Sequence, residues 1–118
     1  MRLLKLLLVL LVCAVAVPAV AGPAEDASMA YDKGDYATAL RLSKELAAAG
    51  DAIAQYNLGI MYSNGHGVPQ DYATAMTWFR KAAELGYANA QHNLGNMYAN
   101  GEGVPRDYAM AVSVSQSR

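Results

Sequence analysis

The chain has 118 residues, a formal net charge of −1, 54% hydrophobic residues and a single cysteine. A chain of this length makes one small domain or a few stacked repeats. Its charges of both signs are interspersed, without the basic stripe that nucleic acid requires, and one cysteine builds neither a disulfide framework nor a cysteine-based metal site.

Residues 1–21 differ in kind from the rest. Arg2 and Lys5 give a positive start, residues 6–17 are an unbroken apolar run, and Ala19-Val20-Ala21 supplies the small residues of a cleavage site, which together read as a secretory signal peptide. Cleavage after Ala21 leaves Gly22 as the new N-terminus. The competing reading is a retained membrane anchor, but a bilayer span takes about 20 apolar residues, and this run is shorter and interrupted by Pro18. Cys13 follows Val12, bulkier than a lipid-attachment signal would have there, so it reads as one more apolar residue of the signal core. Beyond residue 21 there is no cysteine, and seven basic residues face ten acidic ones. The expectation is an exported protein, periplasmic or secreted, with no stable membrane insertion after cleavage and a fold that rests on packing alone.

The remainder is repetitive. AIAQYNLGIMYSNGHGVPQDYATA at 52–75 recurs as ANAQHNLGNMYANGEGVPRDYAMA at 88–111, an offset of 36 residues with 17 of 24 positions identical. A weaker copy precedes them: DYATALRLSKELAAAG at 35–50 shares seven of sixteen positions with 71–86. Each unit reads as a helix hairpin. Residues 52–64 are periodic and contain no Pro, Asn64-Gly65 suits a left-handed helix stop, and Pro69 cannot continue a helix. Asp71 can cap the helix over 71–85, which Gly86 ends. The Gly65-x-Gly67 loop is no phosphate cradle, because no strand precedes it and no Lys-Ser or Lys-Thr follows.

Within the unit, Leu58, Gly59 and Tyr62 put a bulky group, a gap and an aromatic on one side of the first helix. Gly59 costs helix propensity, so a closely approaching helix is its expected reason. Ala75, Phe79 and Ala82 are small, large and small at helical spacing, a surface into which a partner helix settles. Met61, Tyr62, Trp78, Met97 and Tyr98 read as core rather than as a ligand box.

The pattern A-x-A-Q-x-N-L-G-x-M-Y-x-N-G-x-G-V-P-x-D-Y-x-x-A resembles the Sel1-like repeat, a relative of the tetratricopeptide repeat. The resemblance implies an all-α fold, a short right-handed α-solenoid of stacked helix hairpins that acts as a non-catalytic protein-interaction scaffold. The expected organisation is a signal peptide at 1–21, a divergent first hairpin at 22–51, one repeat at 52–87 and a second at 88–118, truncated in its second helix. In the first hairpin Tyr31 and Tyr36 are five residues apart where Tyr62 and Tyr72 are ten apart, so its loop is shorter and more like a tetratricopeptide loop.

Along the first helix the two copies differ at four places, Ile53/Asn89, Tyr56/His92, Ile60/Asn96 and Ser63/Ala99. At about 100° per residue these lie within one arc of about 80° on the helical wheel. Residues that stack on the next hairpin are held fixed, so a varying face is expected to point away from it, as inert surface or as a binding surface. In proteins resembling this one the first helices line the concave side of the superhelix, which makes Ile53, Tyr56, Ile60, Ser63, Asn89, His92, Asn96 and Ala99 the expected contacts for a partner protein or peptide.

No catalytic, cofactor or metal residue is expected. His66 and His92 occupy non-equivalent positions with no cysteine to join them, and no serine is placed on a strained turn. The competing class is a secreted enzyme that binds or hydrolyses β-lactams, an activity linked to some cysteine-rich members of the Sel1-like group and disfavoured here by the absence of cysteine beyond residue 21. After Ala111, residues 112–118 match none of residues 76–82, so Trp78 and Phe79 have no counterparts. The side of Leu94, Met97 and Tyr98 they would cover is expected to stand partly open, leaving a frayed last hairpin or an end covered by self-association or a partner.

Overall fold

A computed structural model describes residues 22–116; the expected signal peptide at 1–21 lies outside the described residues. These form six helices and no strand: α1 Pro23–Asp32, α2 Tyr36–Ala48, α3 Ala52–Asn64, α4 Tyr72–Glu84, α5 Ala88–Asn100 and α6 Tyr108–Gln116. Each packs against the next in the chain, so three antiparallel hairpins stack in series, as in solenoids whose units contact their neighbours.

Local chemistry sets the helix ends. Pro23 opens α1, and Glu25 and Asp26 lie in its first turn, where negative charge meets the positive end of the helix dipole. The Asp35, Asp51 and Asp71 carboxylates accept from the backbone N–H groups of Thr38, Ala54 and Thr74 at 3.3, 2.9 and 3.2 Å, the N-cap interaction expected for Asp71. Gly65 and Gly101 close α3 and α5 with φ of 69° and 70°, a left-handed conformation that costs glycine little.

The core follows the repeat. Ala75, Phe79 and Ala82 are buried and share one cluster with Met76, Ala90, Leu94 and Met97. Ala47, Ala54 and Leu58 form a second, against which Trp78 packs. Gly59 sits under the ring of Phe79: a Cβ built there would lie 2.5 Å from Phe79 Cε1, which is the close approach its cost requires.

One expectation is corrected. Leu94 and Met97 are only 3% and 4% exposed, because they face back into the cluster of Ala75, Met76, Phe79 and Ala82 rather than outward. Ser115, one period after Phe79, lets α6 close down on α5; a Cβ at Gly95 would collide with Ser115 Oγ and come 3.1 Å from the Ala111 carbonyl. A hollow of about 160 Å³ beside Ala83, Leu94, Tyr98 and Val114 remains, and Tyr108, Met110 and Val112 of α6 are exposed.

Candidate functional site

The varying positions lie on α3 and α5, the first helices of the second and third hairpins. Of the nine residues that α3 keeps unchanged in α5, Ala54, Gln55, Leu58, Gly59 and Met61 are buried. None of the varying residues is. Ile53 is 47% exposed, Asn89, His92 and Asn96 are exposed, and Tyr56, Ile60, Ser63 and Ala99 are half-buried.

These residues do not share one environment. Ile53 lines a shallow groove between α3 and α1 with Ala24, Glu25, Ser28, Met29 and Asp32. Asn96 Nδ2 and His92 Nε2 are 3.3 Å apart on the surface of α5, and the amide of Asn89 reaches Tyr87 Oη at 3.5 Å. Ser63 and Asn96 line a second hollow with Phe79, Asn93 and Asn100. Tyr56 departs from the expectation that this face points away from the stacking. Its ring is tilted against Phe79 at 5.7 Å and stacked on Tyr87 at 5.0 Å. Burial, with the neighbouring Tyr87 second, raises its hydroxyl pKa above the ordinary tyrosine value of 10.0. Ile60 packs partly against the cluster that α4 and α5 share and also lines a hollow with Ala27 and Ser43 of the first hairpin. The physical reason is that the following hairpin overlaps the edge of this face, so a large side chain at position 56 is caught between units, while His92 at the equivalent position of α5 stays exposed.

Two further sets of residues join the hairpins without having stood out in sequence. Gln55 Nε2 donates to the Ala47 carbonyl at 3.4 Å, and Gln91 Nε2 donates to the Ala83 carbonyl at 3.3 Å, the same tie one period apart. Recurrence of the A-Q pair was its only signal. Tyr31 Oη is 2.8 Å from His66 Nδ1, and the Tyr36 ring stacks on His66 at 4.4 Å and 2°, which fastens the α3–α4 loop to the first hairpin. Neither histidine lies in a cluster of metal-ligating side chains; among the described residues no group of three or more His, Cys, Asp or Glu could hold a metal ion. No helix among them is long and apolar enough to cross a membrane.

Serially stacked hairpins with interlocking small and large residues define a helical-repeat solenoid. The sequence profile of the Sel1 repeat matches residues 52–87 and 88–113, and the chain belongs to that family. It is similar in structure to a Sel1 repeat protein from Oxalobacter formigenes, with a TM-score of 0.72 and 33% identity over 77% of this chain and 37% of that one. It is also similar to c5321, a protective antigen present in uropathogenic Escherichia coli strains displaying an SLR fold, with a TM-score of 0.74 and 36% identity over 78% of this chain and 20% of that one. The chain thus spans well under half the length of either. No curated protein matches the sequence.

Proposed function

We propose that the protein is an exported, non-catalytic interaction module that holds a partner protein or peptide on the concave face formed by α1, α3 and α5. The observation that carries this is the contrast between two nearly identical repeats: the first-helix positions that changed are all unburied, and most of those kept are buried. Fold alone assigns no activity, but an exposed Ile53 beside an exposed Met29 is an apolar patch of the kind that marks contact surfaces.

Partners are captured from the exported fraction of the host with the wild-type protein as bait. Ile53→Ala/His92→Ala/Asn96→Ala, which alters only exposed side chains, is expected to lower affinity for the captured partner at least about tenfold, or about 1.4 kcal/mol, with helix content and Tm unchanged. Undiminished binding by this variant would mean that the face is ordinary surface. Export is tested separately: Leu8→Arg/Leu10→Arg should trap full-length precursor in the cell, and wild-type protein recovered outside still beginning at Met1 would refute a cleaved signal. Sustained turnover of a chromogenic β-lactam would overturn the non-catalytic assignment.

A further inference from the structure

The first hairpin carries a cavity where the second carries a ring. Loop 33–35 is four residues shorter than loop 65–71, so α1 aligns with α3 at an offset of 32 residues while α2 aligns with α4 at 36. Ala27 then stands where Gly59 does, and Ser43 where Phe79 does. In the second hairpin the Phe79 ring fills the space over Gly59. In the first, Ser43 is 1% exposed and too small to fill it. What results is a cavity of about 150 Å³, lined by Ala27, Ser28, Tyr31 and Asp32 of α1, Ser43 of α2, and Asn57, Ile60 and Met61 of α3. An enclosed apolar cavity of about this volume accepts a benzene ring; this one is partly open, with Ser28, Asp32 and Asn57 beside Ala27, Ile60 and Met61.

Its surroundings are not neutral. The cavity shares Ser28 and Asp32 with the apolar groove that runs past Met29 and Ile53 and contains Glu25. Glu25 and Asp32 are exposed, and neither is ion-paired among the described residues, where Arg41–Glu45 at 3.9 Å is the ion pair formed. A ring-sized hollow, an apolar track and the carboxylates of Asp32 and Glu25 therefore meet at one end of the first-helix face.

We propose that this cavity anchors one aromatic side chain of a partner segment, with a Lys or Arg close to it in sequence whose cation meets Asp32 and Glu25. The proposal rests on the first-helix face being the binding face and specifies what the partner carries. The missing ring selects an aromatic over a small aliphatic group, and the carboxylates select a cation over an anion.

The probe is phenethylammonium, a ring bearing a cation, titrated into isotopically labelled protein and followed by amide NMR. Saturable shifts at Ala27, Tyr31, Asn57 and Ile60 are expected in the millimolar range. Phenylacetate, a ring bearing an anion, should bind about three- to fivefold more weakly, the discrimination an exposed ion pair gives, and Asp32→Asn should narrow that difference. Ala27→Gly/Ser43→Phe, which recreates the Gly59–Phe79 pair, should abolish binding of both probes; Ser43→Leu fills the same space should the double variant not fold. Equal binding of both probes, retention of binding in a folded filled variant, or no saturable shift would each overturn the proposal. If Ile53→Ala/His92→Ala/Asn96→Ala still weakens a captured partner while the probes fail, the binding face stands and the anchor alone falls.

Discussion

Gly59 illustrates how one atom can decide a position. An alanine there gains up to about 1 kcal/mol of helix propensity, yet its Cβ would lie 2.5 to 2.9 Å from three atoms of the Phe79 ring. That ring is 1% exposed and buried among Ala75, Met76 and Ala82. Overpacking of this kind costs about 1 to 3 kcal/mol, so net of the propensity gain Gly59→Ala should be destabilising by up to about 2 kcal/mol in urea denaturation; a variant more stable than wild type would show that the ring is free to move. Recurrence in both copies made Gly59 legible as a close-approach site. Gln55 and Gln91 recur just as faithfully, but their acceptors are carbonyls of the preceding hairpin, and no sequence pattern names a backbone oxygen. Tyr56 was legible as a varying residue and not as a wedge, because the overlap that traps it depends on how far one hairpin leans over the next.

Among the elements, the helices of the two repeats and the cap at Asp71 were legible because each is specified locally. Asp71 accepts from Thr74 N at 3.2 Å and from Thr74 Oγ1 at 2.7 Å. These hydrogen bonds, that of the Thr74 side chain first, hold its pKa below the ordinary value of 3.8. With a folded value below the unfolded one, the contribution is present above 3.8 and is lost as pH falls through the folded value. Asparagine caps a helix nearly as well without titrating. Between about pH 7 and about pH 2.5 the Tm of wild type should therefore fall further than that of Asp71→Asn; parallel losses would remove Asp71 from the acid response. How the first hairpin is fastened was not legible locally, since Tyr31, Tyr36 and His66 come from three separate segments. The next copy carries Glu102 at the position of His66, a residue with no ring to stack. His66→Glu should loosen α1 by about 1 kcal/mol, the worth of an aromatic pair, so that amide exchange in α1 quickens about fivefold while α5 is unchanged. Equal exchange in α1 would assign its docking to packing alone.

At the scale of the whole molecule, stability is a sum of hairpins and the contacts between neighbours, which makes the last hairpin the place to measure what a lost aromatic costs. The break in the repeat after Ala111 was plain in sequence, but its consequence divides between two adjacent positions that sequence treats alike. Trp78 packs on the cluster of Ala47, Ala54 and Leu58. One period later Val114 faces Ala83 and Leu94 and leaves the hollow of about 160 Å³ unfilled. Ser115 leaves no such space, because α6 has closed onto α5 until even a Cβ at Gly95 would strike its hydroxyl. Val114→Trp should fill the hollow and bury new apolar surface, stabilising the protein by about 1 to 3 kcal/mol and slowing amide exchange in α6. If the exposed Tyr108, Met110 and Val112 draw copies together around that hollow, the same variant should weaken concentration-dependent association in sedimentation. Ser115→Phe should instead force the helices apart at a cost of about 1 to 3 kcal/mol. Stabilisation by both substitutions would mean that α6 is docked loosely enough to accept either ring, whereas destabilisation by Val114→Trp would show that the hollow closes in solution and that the terminal hairpin packs more tightly than its register with Trp78 implies.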